Sequence, residues 1–336
     1  MFNYLEPPNA FYQFERIYSA VQWQKKQKWI CDYLANQRPD IIGFQEVFSI
    51  KSLKELVQAN GYQFFSVIDE PEVIDDFIYK SPVVALASRH PIIETTTIKP
   101  DLMLAQSIGL SKEFSFSRKV LRATIAIPHL GCCDCYVVHF KSKRPMIEFN
   151  EQQVNLSAEQ VVIEHLKAEV AGSWGSSIQR GSEATLLLTD MISRREKTQY
   201  PMVLMGDYNN NLTDGVLSQL LTNSLRLVPQ TDYQLYLEKY CLNDAWHLYH
   251  KALSNEVNSS DELLSVKRTP THYFAGSGEV IDYLLLSCEF DASYHGSLYQ
   301  VTDYHVYDRH LINPIFERDG ESTDHAPISV TLTLRA

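Results

Sequence analysis

The sequence predicts an α/β fold, because segments with helical spacing of apolar residues alternate with short apolar runs along its 336 residues. A composition of 45% hydrophobic and 21% charged residues is typical of a globular protein with a large core. No Pro/Gly/Ser-rich linker and no internal repeat divides the chain, so we expect a single domain over residues 1–336. No dinucleotide-binding GxGxxG pattern follows a predicted strand.

The N-terminal third is predicted to contain two helices and two strands. Residues 20–36 place apolar side chains at helical spacing among lysines and glutamines. Pro39 follows this helix, and the apolar run 41–48 is predicted to be a strand. Residues 51–60 form a second predicted helix, and 82–88 a buried strand.

The remainder of the chain continues the alternation. Helical spacing resumes over 150–168, and residues 183–195 are predicted to be another helix. Between them, AGSWGSSIQRG (171–181) is predicted to be a loop because it is rich in Gly and Ser. The remaining predicted strands are 121–127, 135–140, 201–205, 280–287 and 326–334.

Three of the six cysteines, Cys132, Cys133 and Cys135, lie close together in HLGCCDCYVVHF. Their spacing alone does not supply the four ligands of a structural zinc site. The alternative is a turn leading into a strand, with Cys133, Cys135, Val137 and His139 alternating onto one face. We therefore expect reduced thiols and a cytoplasmic protein. The N-terminus has no signal-peptide pattern, which also fits a mature form whose leader has been removed.

The charge balance bears on the class of partner. The chain has 30 Lys and Arg against 41 Asp and Glu, a formal net charge of −11. Proteins dedicated to duplex DNA usually present a basic surface to its phosphates. Tight duplex binding is therefore not expected, although a local basic cleft would still admit nucleic acid. No apolar run approaches the ~18 residues of a membrane span, and no amphipathic membrane segment is evident from the sequence.

A burst of polar residues ends one predicted strand, in PMVLMGDYNNN (201–211). Asp207 and Asn209 are two positions apart, so in an extended segment both project to one face. They lie just past the carboxyl end of a buried strand, where α/β sheets bind ligands. An Asx turn is the alternative, because Asp and Asn are common turn residues, and this stretch alone does not decide between the two.

Other predicted strands carry polar residues within or beside an apolar run. Burial of such groups costs free energy unless they are paired or bound to a metal. These residues are Glu46 in IIGFQEVF, His139 in CYVVHFKSK, Asp282 in VIDYLLLS, and Asp324 and His325 in STDHAPISV. A buried salt bridge, a core histidine or a turn cap would explain any one of them. Their recurrence along one chain favours a functional site.

Together these side chains provide the groups that phosphoester hydrolysis requires. Glu46 is a hard oxygen ligand suited to Mg²⁺. Asp207 can accept a proton from an attacking water, and Asn209 can hold that water or a phosphate oxygen. Asp282 can orient His325 through one ring nitrogen and leave the other for the phosphate.

The set FNY, QEV, HFKSK, GDYN, IDYLLLS and TDHAPI, which runs in this order from residue 3 to residue 325, resembles the motifs of the endonuclease/exonuclease/phosphatase superfamily. That superfamily includes deoxyribonuclease I, exonuclease III, inositol-polyphosphate 5-phosphatases and neutral sphingomyelinases. The resemblance implies a four-layer sandwich of two packed mixed β-sheets flanked by helices, with the active site at one edge. It also implies a hydrolase that depends on a divalent metal, Mg²⁺ or Mn²⁺.

The resemblance also implies roles for individual positions. The metal ligands would be Asn3, Glu46 and Asp324. The catalytic residues would be His139, Asp207, Asn209, Asp282 and His325. Two departures stand out: little of the family's first strand precedes Asn3, and Thr323 stands where many members have serine.

Candidate phosphate-binding residues surround the HFKSK segment. His139 can donate to a phosphate oxygen or to the leaving group. Arg118 resembles a phosphate-facing arginine of the deoxyribonuclease-like branch, with Arg122 as the competing choice or else an exposed strand residue. Lys141 and Arg180 are further candidates, because lysine and arginine often bind phosphate, although Arg180 would otherwise be a surface residue.

The sequence thus predicts a divalent-metal-dependent phosphoesterase, a nuclease or another phosphodiesterase, with Asp207 activating water. The alternative is a phosphatase or phosphodiesterase for a small molecule or a lipid headgroup, such as a phosphoinositide or sphingomyelin. A catalytically silent binding module is a third reading. The presence of every acidic and histidine position of the motif set argues against it.

Overall fold

The computed structural model describes residues 3–150, 156–225, 233–257 and 267–335. The helices in these ranges are α1 (Ala20–Gln37), α2 (Ile50–Ala59), α3 (Leu102–Ser107), α4 (Ala158–Thr198), α5 (Tyr233–Leu237), α6 (Ala245–Val257), α7 (Arg309–Ile312) and α8 (Phe316–Asp319).

The strands are short, and many of them lie in the regions between the predicted ones. They are β1 (Ala10–Phe11), β2 (Ile41–Val47), β3 (Phe64–Val67), β4 (Glu72–Ile74), β5 (Ile78–Lys80), β6 (Val83–Ser88), β7 (Ile92–Thr97), β8 (Leu121–Ile127), β9 (Gly131–His139), β10 (Met202–Asp207), β11 (Asn243–Asp244), β12 (His272–Phe274), β13 (Ser277–Glu279), β14 (Asp282–Leu286), β15 (Tyr299–Val306) and β16 (Ile328–Leu334).

Helix α1 shows how local sequence fixes the bounds of an element. The Ser19 hydroxyl accepts the Gln22 backbone N–H at 3.3 Å, and the Gln22 side chain accepts the Ser19 N–H at 2.9 Å, which forms a capping box. Arg38 ends the helix in the left-handed conformation, immediately before Pro39. The predicted helix 20–36 is therefore confirmed almost to the residue.

The largest sheet has six strands in the order β11-β14-β10-β9-β8-β7. Strands β9 and β10 are parallel, and the other neighbouring pairs are antiparallel. A second layer consists of the sheet β2-β6-β3 and the separate hairpin β15-β16. Both are antiparallel; β2, β6 and β16 are apolar runs that the sequence predicted to be strands, whereas β3 and β15 were not predicted.

Three apolar cores join these sheets to the helices. Leu187 and Met191 of α4 pack in one core with residues of the six-stranded sheet. Leu34 of α1 and Val57 of α2 pack in a second core on the β2-β6-β3 sheet. A third core fills the space between the two sheet layers. The predicted four-layer sandwich is therefore confirmed, with helices on both outer faces.

The region between the HFKSK segment and β10 differs from prediction. From residue 158 to residue 195, the predicted helix, loop and helix are one continuous helix, α4, and residues 151–155 of the first predicted helix lie outside the described ranges. Gly172 suggested a loop, but it is a contact glycine: a Cβ there would lie 2.7 Å from the Pro145 Cβ. Serines that suggested a loop bond to the preceding helical turn instead, as Ser177 Oγ does to the Ser173 carbonyl at 3.1 Å.

The cysteine segment also differs in part. Strand β9 begins at Gly131, so all three clustered cysteines lie within the strand and not in a turn before it. Cys133, Cys135 and Val137 share the core between the sheets, which confirms their predicted alternation onto one face. All six cysteines are free thiols.

The first half of α4 exposes an apolar stripe that the sequence reading missed. Val162, Leu166, Val170 and Trp174 recur every four residues, and their exposed fractions lie between 62% and 66%. Within the described ranges no helix is both long and apolar enough to cross a membrane.

Candidate active site

Three strand ends of the six-stranded sheet place polar side chains side by side. Asp207, the last residue of β10, is in register with His139 of β9 on one side and with Asp282 of β14 on the other. His325, just before β16, reaches the same place. We call His139, Asp207, Asp282 and His325 the strand-end row. It joins four of the five predicted catalytic residues in one cluster.

Gly206 allows the strand to enter this row at close range. Its φ of +143° is a conformation that side chains rarely adopt, and a Cβ would lie 2.0 Å from the Val138 carbonyl oxygen. Only glycine fits there. The glycine before Asp207 therefore has a packing reason that the GDYN motif alone does not reveal.

Asp207 is buried and held from several sides. Its Oδ1 accepts the Asn209 backbone N–H at 2.7 Å, and its Oδ2 accepts the Asn209 amide at 3.1 Å. That amide also donates to the Phe140 carbonyl at 2.9 Å, which ties the β10 end to the β9 end. Burial raises the pKa of Asp207 to about 7; the His325 charge opposes this, and the Asp282 charge adds to it.

Asp282 and His325 form the pair that the sequence predicted. His325 Nδ1 lies 2.8 Å from Asp282 Oδ2. Burial alone would lower the pKa of His325, but the carboxylates of Asp282, Asp207 and Asp324 outweigh it and raise the pKa to about 10. The imidazole is therefore positively charged at neutral pH, with its orientation set by Asp282.

A buried threonine that the sequence did not single out holds this pair in place. The Thr271 hydroxyl accepts the backbone N–H groups of Ile281 and Asp282 at 3.0 and 3.1 Å. The Thr271 carbonyl accepts the Ala326 N–H at 2.7 Å. Thr271 thus joins the segments that carry Asp282 and His325. Its role depends on neighbours far away in the chain, so no local pattern could indicate it.

His139 is the most buried member of the strand-end row. Its Nε2 lies 3.3 Å from Asp207 Oδ2, and its Nδ1 has no hydrogen-bond partner among the described residues. Burial lowers the pKa of His139 far below its ordinary value, and the charges of Arg118 and His325 lower it further. His139 is therefore neutral beside a carboxylate.

We call the three predicted metal ligands, Asn3, Glu46 and Asp324, the oxygen set. The Asn3 backbone N–H donates to Glu46 Oε2 at 3.0 Å. Asn3 and Glu46 have φ values of +43° and +58°, an unusual backbone conformation that often marks functional positions. The buried Asn3 Oδ1 has no hydrogen-bond partner in the described chain. An unpaired amide oxygen beside a carboxylate fits Mg²⁺ or Mn²⁺.

Lys26 of α1 lies among these carboxylates, although the sequence did not predict it. Its Nζ donates to the Glu321 and Ser322 carbonyls at 3.4 and 3.3 Å. Burial lowers the pKa of Lys26 to about 8, against the opposing charges of Asp324, Glu321 and Glu46. Both predicted carboxylate ligands therefore act on one buried ammonium group.

The predicted metal ligands do not all lie in one cluster of donor atoms. Two clusters of acidic and histidine side chains have donor atoms within 4.8 Å of one another. They are Asp207–Asp282–His325 and His272–Asp324–His325. Glu46 belongs to neither, so the Asn3–Glu46 pair and Asp324 are separate contributions. His272, which the sequence analysis missed, is the additional donor beside Asp324.

Arg118 is the candidate phosphate ligand that best fits the site. Its guanidinium donates to the Phe140 carbonyl at 3.1 Å, next to the end of β9, and its charge acts on His139. The alternative interpretation of Arg122 as an exposed strand residue is wrong. Arg122 is buried on β8, and its guanidinium donates to the Glu94 carboxylate at 2.7 Å. It therefore belongs to a separate charge network and not to the site.

Lys141 and Arg180 hold the loop after β9. Lys141 Nζ donates to the Arg144 carbonyl at 2.9 Å, so it is turned toward its own loop. Arg180 is buried on α4 and donates to the Lys141 carbonyl at 2.8 Å, which corrects its expected place in a surface loop. Arg180 therefore stabilises the backbone of the loop after β9 from its position on α4.

Another unpredicted residue, Glu183 of α4, fixes the two segments that carry Arg118 and Lys141. It is buried, and its two carboxylate oxygens accept the backbone N–H groups of Ser117 and Lys141 at 2.6 and 2.7 Å. Arg118 and Lys141 are therefore positioned from one carboxylate. The misreading of this region as a loop and a separate helix hid that connection.

Comparison with known proteins gives consistent results. A family model described as the Endonuclease/Exonuclease/phosphatase family matches residues 16–303. The human Nocturnin catalytic domain with bound sulfate is 16% identical, with a TM-score of 0.51 over 92% of this chain and 87% of that chain. Humanized D. rerio TDP2 with 14 mutations is 12% identical, with a TM-score of 0.51 over 94% of each chain. At these identities the likeness shows the fold alone. No curated protein sequence matches the chain.

Proposed function

The chain belongs to the Endonuclease/Exonuclease/phosphatase family, and on that premise we propose that it is a divalent-metal-dependent phosphoesterase that hydrolyses a phosphodiester. The strand-end row carries the proposal, because a carboxylate with a raised pKa lies beside a neutral and a charged imidazole. Site residues come from positions 3 to 325, so we further propose that residues 1–336 act as one domain.

In this proposal Asp207 is the general base. A carboxylate whose pKa is about 7 is ionised enough to accept a proton from water, and basic enough to draw it away. Asn209 fixes both carboxylate oxygens through its backbone and side-chain N–H groups. Its side-chain oxygen then remains available to orient the attacking water.

His325 stabilises the charge that develops on the phosphoryl group. Because its Nδ1 is bonded to Asp282, its Nε2 is the nitrogen left for a phosphate oxygen. A permanently charged donor held in place before the reaction is the arrangement that lowers a barrier most effectively. His139, held neutral, donates a hydrogen bond to a phosphate oxygen or the leaving group, and Arg118 binds the phosphate.

Asn3, Glu46 and Asp324 would hold the divalent ion. Bound there, Mg²⁺ or Mn²⁺ would supply Lewis-acid polarisation of a phosphoryl oxygen. The unpartnered Asn3 oxygen and the Glu46 carboxylate support this assignment. Lys141 and Arg180 are proposed to set the shape of the phosphate-facing loop, because their own hydrogen bonds lie within that loop.

The test is a substrate panel with Mg²⁺ or Mn²⁺: plasmid, single-stranded oligonucleotides, phosphoinositides, sphingomyelin and a generic phosphodiester. Turnover of a phosphodiester that disappears in Asp207→Asn would support the proposal. If no phosphoester is hydrolysed while one of them still binds, the chain is a silent binding module and the proposal fails.

Duplex DNA is expected to be a poor ligand. The basic groups near the site are few, and the net charge is −11. Contact with roughly two or three phosphates would give a salt slope of about −2 to −3. The measurement is the affinity of the inactive Asp207→Asn protein for a duplex across a salt series. Tight binding with a steep slope would make a duplex nuclease the better assignment.

A lipid phosphodiester is the second candidate substrate class, and the apolar stripe of α4 is the observation that favours it. The helix carrying the stripe packs on the loop after His139: the Met146 N–H donates to the Gly172 carbonyl at 3.1 Å. Met146 and Ile147 in that loop are themselves exposed. An exposed apolar surface on the helix that contacts the loop after His139 is suited to contact with lipid.

Substitution of Leu166 and Val170 by glutamate tests the lipid alternative. Hydrolysis of sphingomyelin in vesicles should fall sharply, whereas hydrolysis of a soluble phosphodiester should not change. Val21→Glu is a matched control, because Val21 of α1 is 64% exposed and distant in sequence from the stripe. Equal activity of all variants on vesicles would exclude the stripe from substrate binding.

A further inference from the structure

Two lysines next to the candidate site are each paired with a carboxylate from a distant part of the chain. Lys143 Nζ, in the loop after β9, lies 2.5 Å from the Glu279 carboxylate of β13. Lys119 Nζ, next to Arg118 in the chain, lies 2.5 Å from the Asp69 carboxylate, which precedes β4. Both lysine side chains are half exposed, so a bound ligand could also contact them.

The two lysines extend from segments that already belong to the site. Glu183 accepts the backbone N–H groups of Ser117 and Lys141 at 2.6 and 2.7 Å. Lys119 and Lys143 each follow one of these two residues by two positions. One buried carboxylate therefore fixes the backbone next to both lysines.

The partner of Lys143 lies beside the charged imidazole of the strand-end row. Glu279 is in register with His272 across the β12–β13 hairpin, and His272 forms a bridge with His325. The Glu279 carbonyl also accepts the Thr271 N–H at 2.9 Å. The Lys143–Glu279 ion pair therefore links the loop after β9 to the hairpin beside His325.

The partner of Lys119 belongs to an acidic segment near the oxygen set. Residues 69–76, DEPEVIDD, carry five carboxylates and no basic side chain, and they lead into the β4–β5 hairpin. The Tyr12 N–H donates to the Tyr79 carbonyl of β5 at 2.9 Å. Burial raises the pKa of Tyr12; the Glu46 charge adds to this, and the Arg118 charge opposes it. The hairpin is thus connected to a side chain that lies among charged groups of the site.

Ion pairs at these positions should affect polyanions more than single phosphates. A lysine that binds a phosphate of duplex DNA contributes about −0.9 to the slope of log affinity against log salt concentration. A lysine held by a carboxylate presents little net charge to a second anion, because the phosphate must displace that carboxylate. A substrate with one phosphate would contact the strand-end row, Arg118 and the cation, and it requires neither lysine.

We propose that Asp69 and Glu279 are specificity-determining residues that pair with Lys119 and Lys143 and so keep these lysines from phosphates flanking the scissile one. The site then favours an isolated phosphodiester, in a small molecule or a lipid headgroup, over a polynucleotide. This inference rests on the proposed function, because it concerns the choice among the substrates of that reaction.

The experiment compares the double variant Asp69→Asn/Glu279→Gln with the matched double variant Glu55→Gln/Glu70→Gln, which changes the net charge by the same amount. Both control carboxylates are exposed, and Glu70 is adjacent to Asp69 in the chain. The affinity for a duplex oligonucleotide is measured across a salt series, with Asp207→Asn present in every chain.

The variant without Asp69 and Glu279 should steepen the salt slope by about two, because each released lysine adds about −0.9. It should also bind the duplex at least about tenfold more tightly at low salt, and the control should show neither change. Addition of Lys143→Gln to Glu279→Gln should restore the original slope. In chains that retain Asp207, kcat/KM should stay within about twofold for a soluble phosphodiester and for sphingomyelin vesicles, and the one that is hydrolysed identifies the source of the phosphodiester.

An unchanged slope, an equal change in the control, or a gain that persists without Lys143 would overturn the proposal. Each single variant should give about half of the change in slope, so the two single variants serve as the test if the double variant does not fold. Binding requires no turnover, which separates this inference from the proposed function. A steeper slope in a chain that hydrolyses no phosphoester refutes the reaction alone, and turnover with an unchanged slope refutes the inference alone.

Discussion

The strand-end row and the oxygen set are two parts of the candidate site that are built differently. Every member of the row comes from a strand of the six-stranded sheet or bonds to a residue of one. Asp207, for example, contacts both His139 and Asn209. In the oxygen set, Asn3 and Glu46 flank a single bridge at Tyr4, both have left-handed backbone conformations, and the Asn3 side-chain oxygen has no partner among the described residues.

This difference indicates which parts of the site are formed before any ligand binds. The row has its charges already balanced: the positive His325 is surrounded by carboxylates, and Asp207 is stabilised by hydrogen bonds. The oxygen set has unmet bonding capacity, which a cation would satisfy. In the proposed reaction, proton transfer would thus be preorganised in the row, whereas a cation in the oxygen set would complete the neutralisation of phosphate charge.

Removal of divalent ions should have the largest effect on this comparison. Chelator is expected to abolish hydrolysis, and Mg²⁺ or Mn²⁺ should restore it. Glu46→Gln should raise the ion concentration needed for half-maximal activity, because it removes one charged ligand, whereas Asp207→Asn should leave that concentration unchanged. Full activity in excess chelator would contradict any role for the oxygen set.

Asp207→Asn tests the row directly. The amide keeps the shape of the side chain but cannot accept a proton, so kcat should fall at least ~10²-fold. Glu113→Gln, the same type of change at an exposed position, is the control and should retain kcat. Wild-type kcat in the Asp207 variant would exclude it as the base.

Asp282→Ala and His325→Ala should each reduce activity, and their losses should not add in the double variant. The reason is that the carboxylate acts by orienting and charging the imidazole through the 2.8 Å contact. A double-mutant cycle in kcat/KM measures the coupling. If the double variant loses the full sum of the two single losses, Asp282 and His325 act independently and do not form one functional unit.

The pH dependence should follow the ionisation of Asp207. Its pKa is raised to about 7, so the basic form is lost as the pH falls below that value. Activity should therefore drop about tenfold per pH unit on the acid side, with a midpoint near 7 or lower when a cation is bound. A flat profile from pH 5 to pH 8 in a pH–kcat/KM series would be inconsistent with Asp207 as base.

The smallest expected effect concerns stability. A carboxyl with a raised pKa in the folded state binds its proton more tightly there, so stability is lost as pH rises from about 4 through about 7. Asp207→Asn removes the buried charge and should unfold at a higher temperature than wild type at pH 8. The difference should shrink toward pH 4. A variant less stable than wild type at pH 8 would indicate that the hydrogen bonds accepted by the Asp207 carboxylate contribute more to stability than burial of its charge costs.

The sequence predicted the residues of the strand-end row better than the residues that hold the site in place. Polar residues at the ends of apolar runs identified Asp207 and Asp282, because the strand period and the sheet edge follow from local pattern. Thr271 and Glu183 were missed because each acts on residues brought near only by folding. The predicted loop at 171–181 failed for a related reason, since Gly172 serves packing against Pro145 and not a turn.

The parallel pairing of β9 and β10 has a consequence for how this protein could diversify. Because both strands leave the sheet at the same edge, His139 and Asp207 remain neighbours whatever the chain does between His139 and Met202. The intervening segment contains the loop after β9 and all of α4. Replacement of this segment by another could thus change the substrate preference, while the register of the two strands keeps His139 and Asp207 adjacent.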